Sequence, residues 1–158
     1  MTQFHVNGRF YDIEVSPDET LADVLRDKLG FRGVHVSCER GECGACTILM
    51  DGKPIPSCMV LALKAEGKEI TTIEGLGSPG NLHPIQKAFL EEHAFQCGFC
   101  TPGIILSAKA LIDRKEPLTA LQVSHALDGH ICRCGSYPQI VKAIMRAADS
   151  QKKELRHE

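Results

Sequence analysis

Eight cysteines stand out in this chain, and their spacing points to metal ligation: Cys38, Cys43, Cys46, Cys58, Cys97, Cys100, Cys132 and Cys134. Thiolates are soft, strong ligands for iron and zinc. A chain of 158 residues can bury a core without disulfide staples, so clustered cysteines in it read as metal ligands before they read as cystines. They fall into two fours. The first has intervening gaps of four, two and eleven residues, and the second has gaps of two, thirty-one and one.

A gap of four and then two, with a fourth cysteine further on, is the spacing by which plant-type ferredoxins hold two sulfide-bridged irons on four thiolates. The gap before Cys58 is shorter than in the soluble ferredoxins. Gly41 and Gly44 suit a loop wrapped closely around an anionic cluster, because residues without a β-carbon let backbone N–H groups face the sulfurs. Spacing leaves the second four open. "CGFC" and "CRC" are each compatible with half of a zinc site or with iron and sulfide. Both precede expected helix starts, where the helix dipole favours negative charge.

The elements that must position these loops are legible in outline. Residues 3–15 read as a β-hairpin turning on Asn7-Gly8, and a second hairpin turns on Asp51-Gly52. A helix is expected from a Ser16/Glu19 capping box with Pro17 in its first turn, or from a later start at Thr20, and Gly30 stops it. A further strand is expected over residues 68–74. The Gly- and Pro-rich run 75–84 marks a boundary, and beyond it the period is helical. Helices are expected over 84–94 and 103–114. Another follows a Thr119/Gln122 capping box with a Leu118/Val123 staple, and a last one has Ser136 and Gln139 at its start. Four short helices in a row are most simply a small bundle. The tail "QKKELRHE" is expected to fray.

Composition narrows the function. With 18 Lys and Arg against 20 Asp and Glu, net charge −2, nothing suggests nucleic acid. No apolar run reaches the length of a membrane span, and the first residues lack a signal-peptide layout. A cytoplasmic protein is expected, with export inside a folded complex still open.

The segments "CERGECGACTILMDGKPIPSC", "QCGFCTPG" and "CRCG", in this order, resemble the small iron–sulfur subunit of the molybdenum hydroxylases, the group of xanthine dehydrogenase, aldehyde oxidoreductase and aerobic carbon monoxide dehydrogenase. The resemblance implies an α+β chain: a plant-ferredoxin-like β-grasp domain over 1–76, then a four-helix bundle domain over 77–158. It implies one [2Fe-2S] cluster on Cys38, Cys43, Cys46 and Cys58 and a second on Cys97, Cys100, Cys132 and Cys134. It also implies that the Gln96 amide and the Cys134 backbone meet the pterin of a molybdenum cofactor held by a large partner subunit. Where members commonly have Thr-Gly-Tyr and Asn-Leu around the Cys-Arg-Cys, this chain has Gly135-Ser136-Tyr137 and His130-Ile131. The Gly-Ser variant is similar to branches that pass electrons to a cytochrome, which leaves both a cytochrome and a FAD subunit open as acceptor.

Eight thiolates fill two clusters and leave no acid, base or nucleophile constellation, so no catalytic residue is expected on this chain. The expected role is electron transfer out of a molybdenum centre that oxidises substrate elsewhere. Two alternatives remain: a freestanding double-cluster carrier, against which a near-neutral charge counts, and a zinc-binding interaction module. Phe99 is either core or partner-facing. Arg133 either balances cluster charge or is simply solvated. His130, the histidine nearest a cysteine loop, is expected to be structural.

Overall fold

The computed structural model of the chain describes residues 1–154. Five strands, β1 (Thr2–Val6), β2 (Arg9–Ile13), β3 (Thr47–Met50), β4 (Lys53–Pro56) and β5 (Glu69–Thr71), form one mixed sheet in the order β2-β1-β5-β3-β4. Both expected hairpins are present. Asn7 and Gly8 have φ of 51° and 77°, and Asp51 and Gly52 have 49° and 74°, the left-handed pair that joins two twisted strands through two residues. β5 lies between the hairpins, parallel to β1 and antiparallel to β3. It is shorter than the sequence suggests, because the chain turns into a 3-10 helix at Ile73. Ile73 and Leu76 then pack against the helical core.

The first helix takes the later of its two possible starts. The Thr20 hydroxyl accepts from the Asp23 N–H at 3.2 Å, and the Asp23 carboxylate accepts from the Thr20 N–H at 3.0 Å. Glu19 instead accepts from the Ser16 N–H at 2.7 Å and pairs with Lys28 at 2.7 Å, so Pro17 stands in the turn before the helix. α1 (Leu21–Asp23) widens into a π turn over Val24–Lys28. Its buried face, with Leu21, Val24 and Leu25, meets Phe4, Val6, Ile48 and Ile70 of the sheet.

Four helices follow: α2 (Pro84–Glu91), α3 (Thr101–Ile112), α4 (Ala120–Ala126) and α5 (Tyr137–Glu154). Phe89, Ile104, Val123, Ile140 and Ile144 lie in their common core. The Thr119/Gln122 box caps α4 as expected, and Leu118 packs on the core that contains Val123. The Ser136/Gln139 cap does not form. Ser136 is drawn into the cysteine loop, where its hydroxyl is buried without a hydrogen-bond partner, while Gln139 faces solvent. The expected fraying from Gln151 is not seen either, since α5 continues through Glu154; residues 155–158 lie outside the described residues. Glu92 ties α2 to α5 through Lys142 at 2.7 Å and Arg146 at 2.8 Å. A small cluster of Leu49, Leu106 and Ala110 joins β3 to α3, which anchors the helical half to the sheet.

Candidate metal centres

The loop between α1 and β3 carries Cys38, Cys43 and Cys46, and the turn after β4 carries Cys58. The β3–β4 hairpin brings the last two together. Ser57 locks that pairing, donating its buried hydroxyl to the Cys46 carbonyl at 2.7 Å. Within the set the Cys38 thiol lies beside Cys43, and the Cys58 thiol lies beside Cys46 with Cys38 also near. Backbone N–H groups of Arg40 and Cys43, with the Cys43 thiol beside them, hold the Cys38 thiol down to about 6. Burial pushes the Cys58 thiol up to about 11, with the Cys46 thiol adding to the rise and the Gly41 N–H opposing it.

The second set has the same form. Cys97 associates with Cys134, and Cys100 with Cys132. The backbone N–H of Phe99, then the Cys134 thiol, lower the Cys97 thiol. Burial raises Cys100 to about 12, with its Cys132 neighbour adding to the rise. Burial opposes ionisation of Cys132 as well, yet N–H groups of Ser136, Cys134 and Gly135, with the Cys100 thiol, leave it lowered. The turn entering α5 thus points its free amides at a sulfur, as an anion site requires.

The structure brings each predicted set together and keeps the two apart as sets. It also places Gln96 beside Cys134, the amide donating to the Cys134 carbonyl at 3.4 Å. Arg133 is exposed. Phe99 is 45% exposed and stacks on His35 at 4.6 Å.

Besides His35 on Phe99, further contacts join the two cysteine loops. The Ile131 N–H donates to the Cys43 carbonyl at 3.0 Å. Gly44, at φ 71°, lies against the His130 ring and the Gly129 carbonyl, and its own carbonyl lies where a β-carbon on Gly103 would stand. His130 is buried, as expected of a structural residue, and its Nε2 is 2.7 Å from the Ser107 hydroxyl; burial lowers it to about 4, which keeps the ring neutral. Tyr137 is legible in the sequence only as part of a motif. Its hydroxyl accepts from the Cys132 N–H at 2.8 Å and donates to the His130 carbonyl at 2.9 Å, clasping the "CRC" turn.

These residues fit an iron–sulfur group. Paired thiols suit a binuclear centre in which each iron takes two thiolates. The buried side-chain polar atoms left without a hydrogen-bond partner among the described residues are Thr101 Oγ1, His130 Nδ1 and Ser136 Oγ. All three border the cysteine loops, where buried polar groups need something to bond. The raised thiols of Cys58 and Cys100 ionise on taking up a cation, so loading releases protons.

Comparison with known proteins agrees. The model of the 2Fe-2S iron-sulfur cluster binding domain matches residues 4–72, and that of the [2Fe-2S] binding domain matches residues 72–145. The 6-hydroxypseudooxynicotine dehydrogenase complex subunit beta of Paenarthrobacter nicotinovorans is 48% identical over 90% of this chain and 89% of its own length. The nicotinate dehydrogenase small FeS subunit of Eubacterium barkeri is 40% identical over 92% of both chains. Other relatives are iron-sulfur-binding subunits of aldehyde oxidoreductase and xanthine dehydrogenase from Escherichia coli. The crystal structure of aldehyde oxidoreductase from Desulfovibrio desulfuricans superposes with a TM-score of 0.92 at 42% identity, covering 97% of this chain and 17% of that one.

Proposed function

Since the chain belongs to the small iron–sulfur subunits of the molybdenum hydroxylases and serves as their electron-transfer subunit, we propose that electrons enter it at Cys97, Cys100, Cys132 and Cys134 and leave from Cys38, Cys43, Cys46 and Cys58. When bound, a [2Fe-2S] cluster at each set takes up and gives back one electron. The thiols and the amides facing them hold each centre, and the contacts around Gly44 keep the two loops at a fixed separation. The observation that carries this reading is the match of a 2Fe-2S binding domain over residues 4–72, which hold the first four cysteines, and of another over residues 72–145, which hold the second four. It favours two binuclear centres over tetrahedral zinc ions.

Gln96 and Cys134, adjacent at the exposed edge of the second set, are the residues we assign to the pterin of a molybdenum cofactor in a large partner subunit. The acceptor beyond the first set is a FAD subunit or a cytochrome. We read residues 1–76 as a plant-ferredoxin-like β-grasp domain, supported by the strand order β2-β1-β5-β3-β4, and residues 77–158 as a four-helix bundle domain. Relatives named for nicotinate, aldehyde and xanthine enzymes have similar small subunits, which supports placing substrate choice in the partner. No helix among the described residues is long and apolar enough to cross a membrane.

Electron paramagnetic resonance of the reduced, iron-loaded complex tests the assignment. Cys43→Ser removes one cluster signal and spares the other, and Cys100→Ser does the reverse. Loss of both signals from either single change in a folded complex, or zinc in place of iron after iron-replete growth, overturns it.

A further inference from the structure

His35 lies three residues before Cys38, in the neck of the first cysteine loop, yet its side chain is engaged with the second loop. Its Nδ1 is 2.7 Å from the Phe99 carbonyl. A carbonyl can only accept, so Nδ1 carries the proton and donates. The imidazole also stacks on the Phe99 ring, with centroids 4.6 Å apart and planes 15° from parallel. Ring and carbonyl of one residue are therefore held at once from the other half of the molecule.

Phe99 lies between two cysteines of the second loop, and its placement decides where its backbone donor points. Its own N–H meets the Cys97 sulfur. The peptide plane that follows joins the carbonyl held by His35 to Cys100, so the same grip fixes the backbone that carries the Cys100 sulfur. Phe99 is 45% exposed, and the His35 ring covers one of its faces.

We propose that His35, from the first half of the chain, is a positioning residue for the second metal centre: by gripping the ring and carbonyl of Phe99 it aims the Phe99 N–H at the Cys97 sulfur and sets the peptide that carries Cys100. It touches no ligand sulfur of that centre and acts through Phe99 alone. N–H groups aimed at the sulfurs favour the reduced, more negative state of an iron–sulfur centre. Releasing them makes that centre harder to reduce, and tilts the sharing of one electron between the two centres towards the first.

The test uses the iron-loaded complex and a redox titration followed by paramagnetic resonance, with three substitutions. His35→Gln keeps a donor but not the aromatic stack, His35→Phe keeps the stack but not the donor, and His35→Ala keeps neither. The expected result is that His35→Ala and His35→Phe shift the electron-sharing equilibrium away from the second centre by about three- to tenfold, the factor carried by one hydrogen bond, which is about 30 to 60 mV in the second centre's potential. Its signal changes shape, the first centre's potential stays in place, and His35→Gln recovers most of the shift. The proposal is overturned if neither potential moves, if only the first centre moves, or if His35→Gln behaves like His35→Ala. Where His35→Ala does not fold, the contrast between His35→Gln and His35→Phe decides alone. The proposal rests on assigning Cys97, Cys100, Cys132 and Cys134 to one centre. Failure of that assignment is separately visible, because the Cys100→Ser control then leaves the shifted signal intact.

Discussion

Gly103→Ala sets two physical effects against each other with opposite signs. Gly103 is the third residue of α3 and is buried, and alanine is the better helix former by up to about 1 kcal/mol. On propensity alone the substitution stabilises the protein. The structure predicts the reverse. A β-carbon there falls on the Gly44 carbonyl, a backbone atom in the first cysteine loop, which can yield only by moving the loop between Cys43 and Cys46 or by backing α3 away from it. Overpacking of this kind costs about 1–3 kcal/mol. The net expectation is a loss of about 0–2 kcal/mol, or up to roughly 8 °C in melting temperature at this chain length. Calorimetry on wild-type and variant iron-loaded protein, at one pH and one scan rate, measures it. The first centre's signal should broaden in the variant, because Gly44 is part of its loop. A melting temperature above that of the wild type refutes the argument that α3 and the first cysteine loop are in fixed contact through these two glycines.

Gln96→Ala should leave iron content and both cluster signals unchanged while slowing reduction of the clusters by substrate several-fold in the assembled complex, the effect of one lost hydrogen bond; rapid-mixing absorbance measures it, and equal rates with equal molybdenum content make Gln96 an ordinary loop residue. Acid stability should depend on Glu92, whose carboxyl is held below its ordinary value by Lys142 first and Arg146 second. A lowered acid stabilises the fold fully above the ordinary carboxylate range and loses that contribution as pH falls through the lowered value, so Glu92→Gln should flatten the acid limb of a stability–pH curve without moving the neutral plateau's shape, as read by urea denaturation at stepped pH.

Local signals carried most of the fold into view. Asn7-Gly8 and Asp51-Gly52 permit little but a tight hairpin, and Thr119 with Gln122 names a helix start three residues before it can be checked. The same logic leaves two possible starts for the first helix, and the Thr20–Asp23 reciprocal bond decides between them, while Glu19 holds the Ser16 N–H in the turn before it. Ser136 and Gln139 show where such reasoning fails: the pattern is right for a cap, but Ser136 is buried with the cysteines that precede it. The first four cysteines carry a local ligand spacing, whereas 31 residues separate Cys100 from Cys132 and joining those two pairs rests on the resemblance. Their pairing across the set, and the grip of His35 on Phe99, depend on how two halves of a chain meet, for which no short pattern exists.

The place of β5 in the sheet bears on how the protein comes to hold iron at all. His5 of β1 lies opposite Glu69, so the strand that completes the sheet is made 64 residues after the one it must join. Until residue 71 has left the ribosome, two hairpins wait with no strand between them, and such distant pairing is slow because the intervening loop must close first. Ile131, whose N–H steadies the Cys43 carbonyl, emerges later still. The helical half, built from neighbours in sequence, closes quickly once it is made. The first cysteine loop therefore gains its last backbone support only once residue 131 has been made.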